Sequence, residues 1–301
     1  MMRRKNAEHG SWTGWSMRVG IVCVFALGSG VWACKSLPWP DSRPKYVVYD
    51  AAGLLSAIGS NRRIYLQPNL YNLSGAWRGP DRSDTKPLGY DGEYEQIVLN
   101  GLSNLDIIGA GPGSTRVVIE EEFPHVLFFK NSENIAIRGI ELEHQPPSGA
   151  ICLGAALGME NVKNARVSDV VLKGSGTFGL WLERTENVSL TDSVITECTR
   201  GIVFAHRSRG LRLADSVFVN NVGGFRLEQT GGVLLEDSRV LFNRSIDSEA
   251  YTKYIFGLKQ SMLVVKDTRF ERNVARGMID SDRKKVRMEG IVSDRNRWVR
   301  K

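Results

Sequence analysis

Cysteine is scarce, with four in 301 residues, and only Cys152 and Cys198 lie beyond Cys34. This excludes the disulfide framework that staples small exported domains. No CxxC pair or Cys/His spacing of a metal site occurs, and of the four histidines only His125, His144 and His206 follow Cys34. Charge of one sign is also missing from the body. Of the net +7, Arg3, Arg4, Lys5 and Arg18 against Glu8 carry +3, and Asp282 to Lys301, with eight bases against three acids, carry +5. The near-neutral remainder argues against a nucleic-acid or polyanion groove, which needs cations clustered along one face. The basic C-terminal stretch reads as a solvated end cap. No apolar run favours a spanning helix: Val19 to Ala33 is 15 residues long and rich in Gly.

That run has instead the length of a secretory signal, preceded by Arg18 and ending in a small residue, so export is expected. Val31-Trp32-Ala33-Cys34 resembles a bacterial lipoprotein signal, which implies lipidation of Cys34 and anchoring to a bacterial membrane, with the outer membrane as the expected destination. Trp32 departs from the small or aliphatic residue usual there, which leaves plain cleavage or an uncleaved anchor open. Met17 is an alternative start. The expected organisation is a signal over 1–34, a linker over 35–46 and one domain over 47–301.

What is present is a repeat. Leu190-Thr-Asp-Ser-Val returns as Leu213-Ala-Asp-Ser-Val, and the frame extends to Ile107, Ile137, Val167, Leu190, Leu213, Leu235, Val265 and Met288, all apolar. Leu105, Ile135, Ala165, Val188, Leu211, Val233, Leu263 and Val286, two residues earlier, are apolar too, while the residues between are mostly tolerant of water. That is the period of a strand, returning at intervals of 30, 30, 23, 23, 22, 30 and 23. Bend-forming Gly or Asp follows the column, then a second apolar position at Leu142, Leu172, Ile195, Phe218, Val240 and Phe270, failing at Ser293. A third strand opens with Gly179, Gly201, Gly224 and Gly277. Three strands per repeat, without helical periodicity or a leucine-rich frame, build a solenoid of stacked parallel strands. Cys152 and Cys198 fall two rungs apart, about 9.6 Å at ~4.8 Å per rung, so two free thiols are expected.

From 47 to 296 the chain resembles the right-handed parallel β-helix, or pectin-lyase-like, superfamily. The opening segment Asp50-Ala-Ala-Gly-Leu-Leu-Ser-Ala-Ile followed by Arg63-Ile-Tyr-Leu-Gln-Pro-Asn-Leu-Tyr is similar to that superfamily's cap helix and first strand, with Asn69 in place of the usual Gly. The implied fold is all-β, a right-handed parallel β-helix of about eight coils with a short N-terminal helix. The resemblance fixes no activity, because the scaffold carries many.

Surplus residues in the three long intervals, 110–124, 143–149 and 243–254, are expected to leave the same corner and form a cleft wall. Glu141, Glu143 and His144 are the candidate catalytic residues, since paired carboxylates beside a His suit acid and base work on a sugar. The column Asp169, Asp192, Asp215, Asp237 and Asp267 reads as turn residues accepting backbone hydrogen bonds, with Ca²⁺ as the alternative role. On the third strand, the outward column is expected at Phe128, Cys152, Trp181, Val203, Arg226, Phe256 and Ile279. Such an apolar strip is either a docking face or a surface covered by loops or by the stretch 38–46. Trp181, Arg226 and Phe256, with Tyr251 from the third insertion, are the candidate ligand-binding residues.

Two functions compete. One is a non-catalytic envelope protein, monomeric and requiring no cofactor, that binds glycan or another envelope component. The other is a polysaccharide lyase or glycoside hydrolase. The resemblance implies acidic Ca²⁺ ligands beside a basic residue for lyases, or Asp pairs with a His and R-x-K for hydrolases, and no such ensemble stands in the sequence.

Overall fold

The structure, a computed structural model, describes residues 41–75, 88–91, 96–145, 152–247, 250–280 and 285–299. The chain divides into Met1–Asp41 and Ser42–Lys301, and the second unit is the solenoid. Its first strand is Lys45–Val48, and its one helix among the described residues, α1, is Ala51–Ala57. Asp50 caps α1 by accepting from the Gly53 N–H at 2.7 Å, and the helix buries Leu54 and Ala57 over the first rung.

The core column lies in register on successive rungs: Ile64, Ile107, Ile137, Val167, Leu190, Leu213, Leu235, Val265 and Met288 pair one with the next, all in parallel. Leu190 and Leu213 are buried to 1% exposure or less. Burying a side chain of that size contributes roughly 1.5–3 kcal/mol, which a single coil without neighbours would forgo. The second column, Tyr71, Val117, Leu142, Leu172, Ile195, Phe218, Val240, Phe270 and Ser293, is likewise in register. Strands Glu133–His144 and Lys163–Lys173 run through the bend, so the first two faces join as one 17-stranded sheet. The third face is an eight-stranded sheet, parallel except where Leu88–Asp91 lies antiparallel to Gln96–Asn100.

The Asp column sits at the corner between the first two faces, every member left-handed with φ of 45–51°. Asp tolerates that conformation better than most residues. The bonds across rungs at this corner come from the Ser hydroxyls that follow Asp192, Asp215 and Asp237, whereas the expectation was for the Asp carboxylates to accept backbone hydrogen bonds. The Ser216 Oγ accepts the Ser193 N–H at 3.2 Å and donates to the Ala214 carbonyl at 2.6 Å, and Ser193 and Ser238 repeat the pattern.

The first insertion leaves a different corner from the one expected. Ten residues separate Ile107 from its second-face counterpart Val117, where five separate Ile137 from Leu142, so most of the surplus lies between the first two faces. Cys152 and Cys198 are free thiols.

Candidate functional site

The third face displays two outward columns. Phe128, Gly158, Trp181, Phe204, Arg226 and Gly257 pair in that order, and two residues on stand Lys130, Glu160, Glu183, His206, Glu228 and Lys259. Phe256 is therefore not a surface residue: it pairs with Phe225, is 1% exposed and packs between Phe225 and Phe270 in the core. Val203, also expected outside, is 0% exposed. The error is one residue of register. Gly201 pairs with Phe178 and not with Gly179, and a one-residue slip in a strand exchanges its faces. Cys152 lies outside the sheet's strands.

The outward side chains form a continuous aromatic ladder. His125 lies 4.9 Å from Phe128 and 5.4 Å from Trp181, Trp181 lies 6.1 Å from Phe204, and Phe204 stacks on Phe178 at 5.4 Å. A Cβ at Gly158 would stand 2.9 Å from ring atoms of both His125 and Phe128, so only glycine lets those rings close over this rung. Burial pushes the His125 pKa down to about 3, with nearby His144 adding to the effect, so its ring is uncharged at neutral pH.

Tyr251 closes one end. Its ring stacks on Phe178 at 5.2 Å with 12° between planes, Arg226 stands over it at 5.3 Å, and Arg200 Nη1 donates to its hydroxyl at 3.2 Å. Beneath Phe123, Trp181 and Tyr251 lies a cleft of about 320 Å³, reaching Glu160 and Thr177. A second cleft of about 320 Å³ lies beyond Tyr251, lined by Arg226, Glu228, Lys259 and Asp280. The apolar strip is thus neither bare nor covered: Phe128 and Phe178 are buried beneath it, while Trp181 and Phe204 stay half-exposed. Among the described residues of the stretch 38–46, Arg43 binds Asp106 on the first face at 2.7 Å.

Glu141, Glu143 and His144 are not brought together. Glu141 and Glu143 point outward from the second face, whereas His144 turns inward and is 4% exposed. Glu143 is clamped by Arg116 and by Lys173 at 3.1 Å, and Arg116 also reaches Glu141 at 3.6 Å. Burial pushes the Glu143 carboxyl up, but the hydrogen bonds from Arg116 and Lys173 outweigh it and hold the group below the usual range. Desolvation lowers His144 to about 4, and its Nδ1 meets the Cys152 thiol, itself pushed up to about 11 by burial. Among the described residues, no group of three or more His, Cys, Asp or Glu converges as a metal site. Cys34 lies outside the described residues.

The family model described as "Right handed beta helix region" matches residues 117–240 and 159–297. The chain belongs to that right-handed β-helix family. Solved structures of the same fold include a polygalacturonase from Erwinia carotovora, at TM-score 0.55 and 11% identity over 87% of this chain and 80% of that one. Pectate lyases from Paenibacillus sp. 0602 (TM-score 0.53, 10% identity, 84% and 78% covered) and Bacillus subtilis (TM-score 0.51, 12% identity, 83% and 80% covered) are similar to the same degree. At such identity the likeness establishes the fold alone. None of the curated proteins matches the sequence.

Within this β-helix, Trp181 and Arg226 line two adjoining clefts that share Tyr251, and beside them on the third face runs a set that sequence reasoning missed. Glu160, Glu183, His206 and Glu228 recur at 23, 23 and 22 residues, the interval of the core column, and that spacing was the available signal. Glu160 is held by Lys130 at 3.4 Å and by Arg184, Glu183 by Arg184 at 2.9 Å and His206 at 2.8 Å, and Glu228 by Arg226 at 2.6 Å.

Proposed function

We propose that this β-helix binds a saccharide chain in the third-face cleft. One observation carries the reading: Trp181, which lines the cleft, and Phe204 lie side by side and half-exposed on the third face, and a column of charged hydrogen-bonding groups runs beside them. Sugar rings present apolar C–H faces to aromatic planes and hydroxyls to polar rims, and this face offers both. The shared fold of proteins named pectate lyase and polygalacturonase supports the saccharide class by analogy. The reading invokes no metal. Export through the N-terminal apolar run, lipid attachment at Cys34 and display of a monomer at a bacterial envelope complete the proposal, supported by the sequence signal.

The test is titration of purified protein with a panel of neutral and acidic oligosaccharides, followed by calorimetry. Trp181→Ala is expected to cost about 1 kcal/mol, roughly fivefold in Kd, for the lost stacking. Unchanged affinity in Trp181→Ala and Phe204→Ala would place the ligand elsewhere.

A further inference from the structure

We infer that the third face removes acyl groups from a saccharide bound along its aromatic ladder by ester hydrolysis, with His206 as general base and Glu183 as the residue that positions it. This rests on saccharide binding at the third-face cleft.

The Glu183 Oε2 accepts from His206 Nδ1 at 2.8 Å, and its Oε1 accepts from Arg184 Nη1 at 2.9 Å. With both oxygens held and its side chain only 12% exposed, Glu183 cannot turn away. Donation from Nδ1 places the lone pair of the neutral ring on Nε2, which has no partner among the described residues, while the side chain keeps 25% exposure. The His206 ring lies 6.2 Å from Phe204, so a sugar stacked on Phe204 and Trp181 has the imidazole at its edge. A base oriented by a buried carboxylate and open toward a binding surface is the arrangement that proton transfer requires.

The reaction class follows from what surrounds the dyad. Glycoside hydrolysis uses two carboxyl groups, one of them a proton donor. Here Glu160 is committed to Lys130 and Arg184, and Glu228 to Arg226. Ester hydrolysis needs one group that takes a proton and returns it. Water attacks the acyl carbon while Nε2 removes its proton; the tetrahedral anion then collapses, and the departing sugar oxygen takes that proton back. The products are the sugar hydroxyl and a carboxylic acid, whose proton passes to solvent. Arg226, one rung on and 5.6 Å over the Phe204 ring, supplies a cation for the developing oxyanion. Its Nε and Nη2 are held by Glu228 at 2.7 and 2.6 Å.

The probes are 4-nitrophenyl acetate and acetylated xylo-oligosaccharides, with acetate release followed against a protein-free control. We expect release by the wild type, a fall in kcat of about 100-fold or more in His206→Gln, and a fall of about 10²–10⁴-fold in Glu183→Gln. Glu183→Asp should restore part of that loss, and the pH profile of kcat should change in Glu183→Gln, neither of which a purely structural carboxylate predicts. Urea midpoints report that the variants are folded, and binding of the deacetylated oligosaccharide to the wild type is read from Trp fluorescence. Binding without acetate release, or release that survives in folded His206→Gln, overturns the hydrolysis and leaves the binding reading intact. Absence of both binding and release overturns both.

Discussion

Phe204 and Phe256 are the same residue type two rungs apart, yet they do opposite work. Phe204 faces out onto Trp181, and Phe256 fills the core between Phe225 and Phe270. Phe256→Ala should therefore destabilise by about 3–5 kcal/mol, the usual result of an aromatic cavity, while folded protein keeps its saccharide affinity. Phe204→Ala should weaken binding with little change in the urea midpoint. Calorimetry and urea unfolding on both variants decide the matter, and a reversed outcome would mean that the face assignment is wrong. The difference was not legible in the sequence. Each strand offers a Gly as a landmark, but Gly201 and Gly179 occupy non-equivalent positions, and apolar residues on both sides of the strand hid the slip.

At the scale of elements, the linker carrying His125 seals against the next coil. His125 Nδ1 accepts the Ala155 N–H at 3.0 Å, and a Cβ on Gly154 would meet the Pro124 carbonyl at 1.8 Å and His144 at 2.5 Å, so the seam has no spare room. Both imidazoles are held neutral, with pKa values lowered from 6.5 to about 3 and about 4. In the unfolded chain each takes a proton near pH 6.5, whereas the folded chain refuses it. The folded pKa is the depressed one, so this contribution is complete above 6.5 and is lost as the pH falls toward about 4 and then about 3. Urea midpoints should be flat above pH 7 and fall between pH 6.5 and 4, with a smaller fall in His144→Gln. A midpoint that is constant across that window contradicts the seam. The sequence showed neither this packing nor the true exit of the first insertion, because a surplus in length does not say at which corner it leaves. The charge clamp on Glu143 escaped it for a related reason: Arg116 and Lys173 lie 27 and 30 residues away and meet it only through rung stacking.

For the whole molecule, the core was legible because its signal is redundant. Eight apolar positions at intervals of 22, 23 or 30 residues all demand the same axis, and each coil contacts only its neighbours, so an error at one rung does not spread. The same logic makes the solenoid divisible. Removing residues 190–212 puts Leu213 in the place of Leu190, beneath Val167, and puts Phe218 where Ile195 had packed on Leu172, so apolar residues again face apolar residues. This shortened chain should keep its strand signature in circular dichroism and a cooperative transition, at reduced stability from the larger Phe and the altered third-face turn. It should bind no saccharide, since Phe204 and His206 leave with the coil and Tyr251 loses Arg200. Removing only 190–200 spans no whole rung, puts the third-face strand Gly201–His206 in the place of first-face residues from Leu190 and should abolish folding. If the two deletions behave alike, nearest-neighbour stacking is not what specifies the fold, and the alignment of Trp181 with Phe204 that builds the cleft would need another cause.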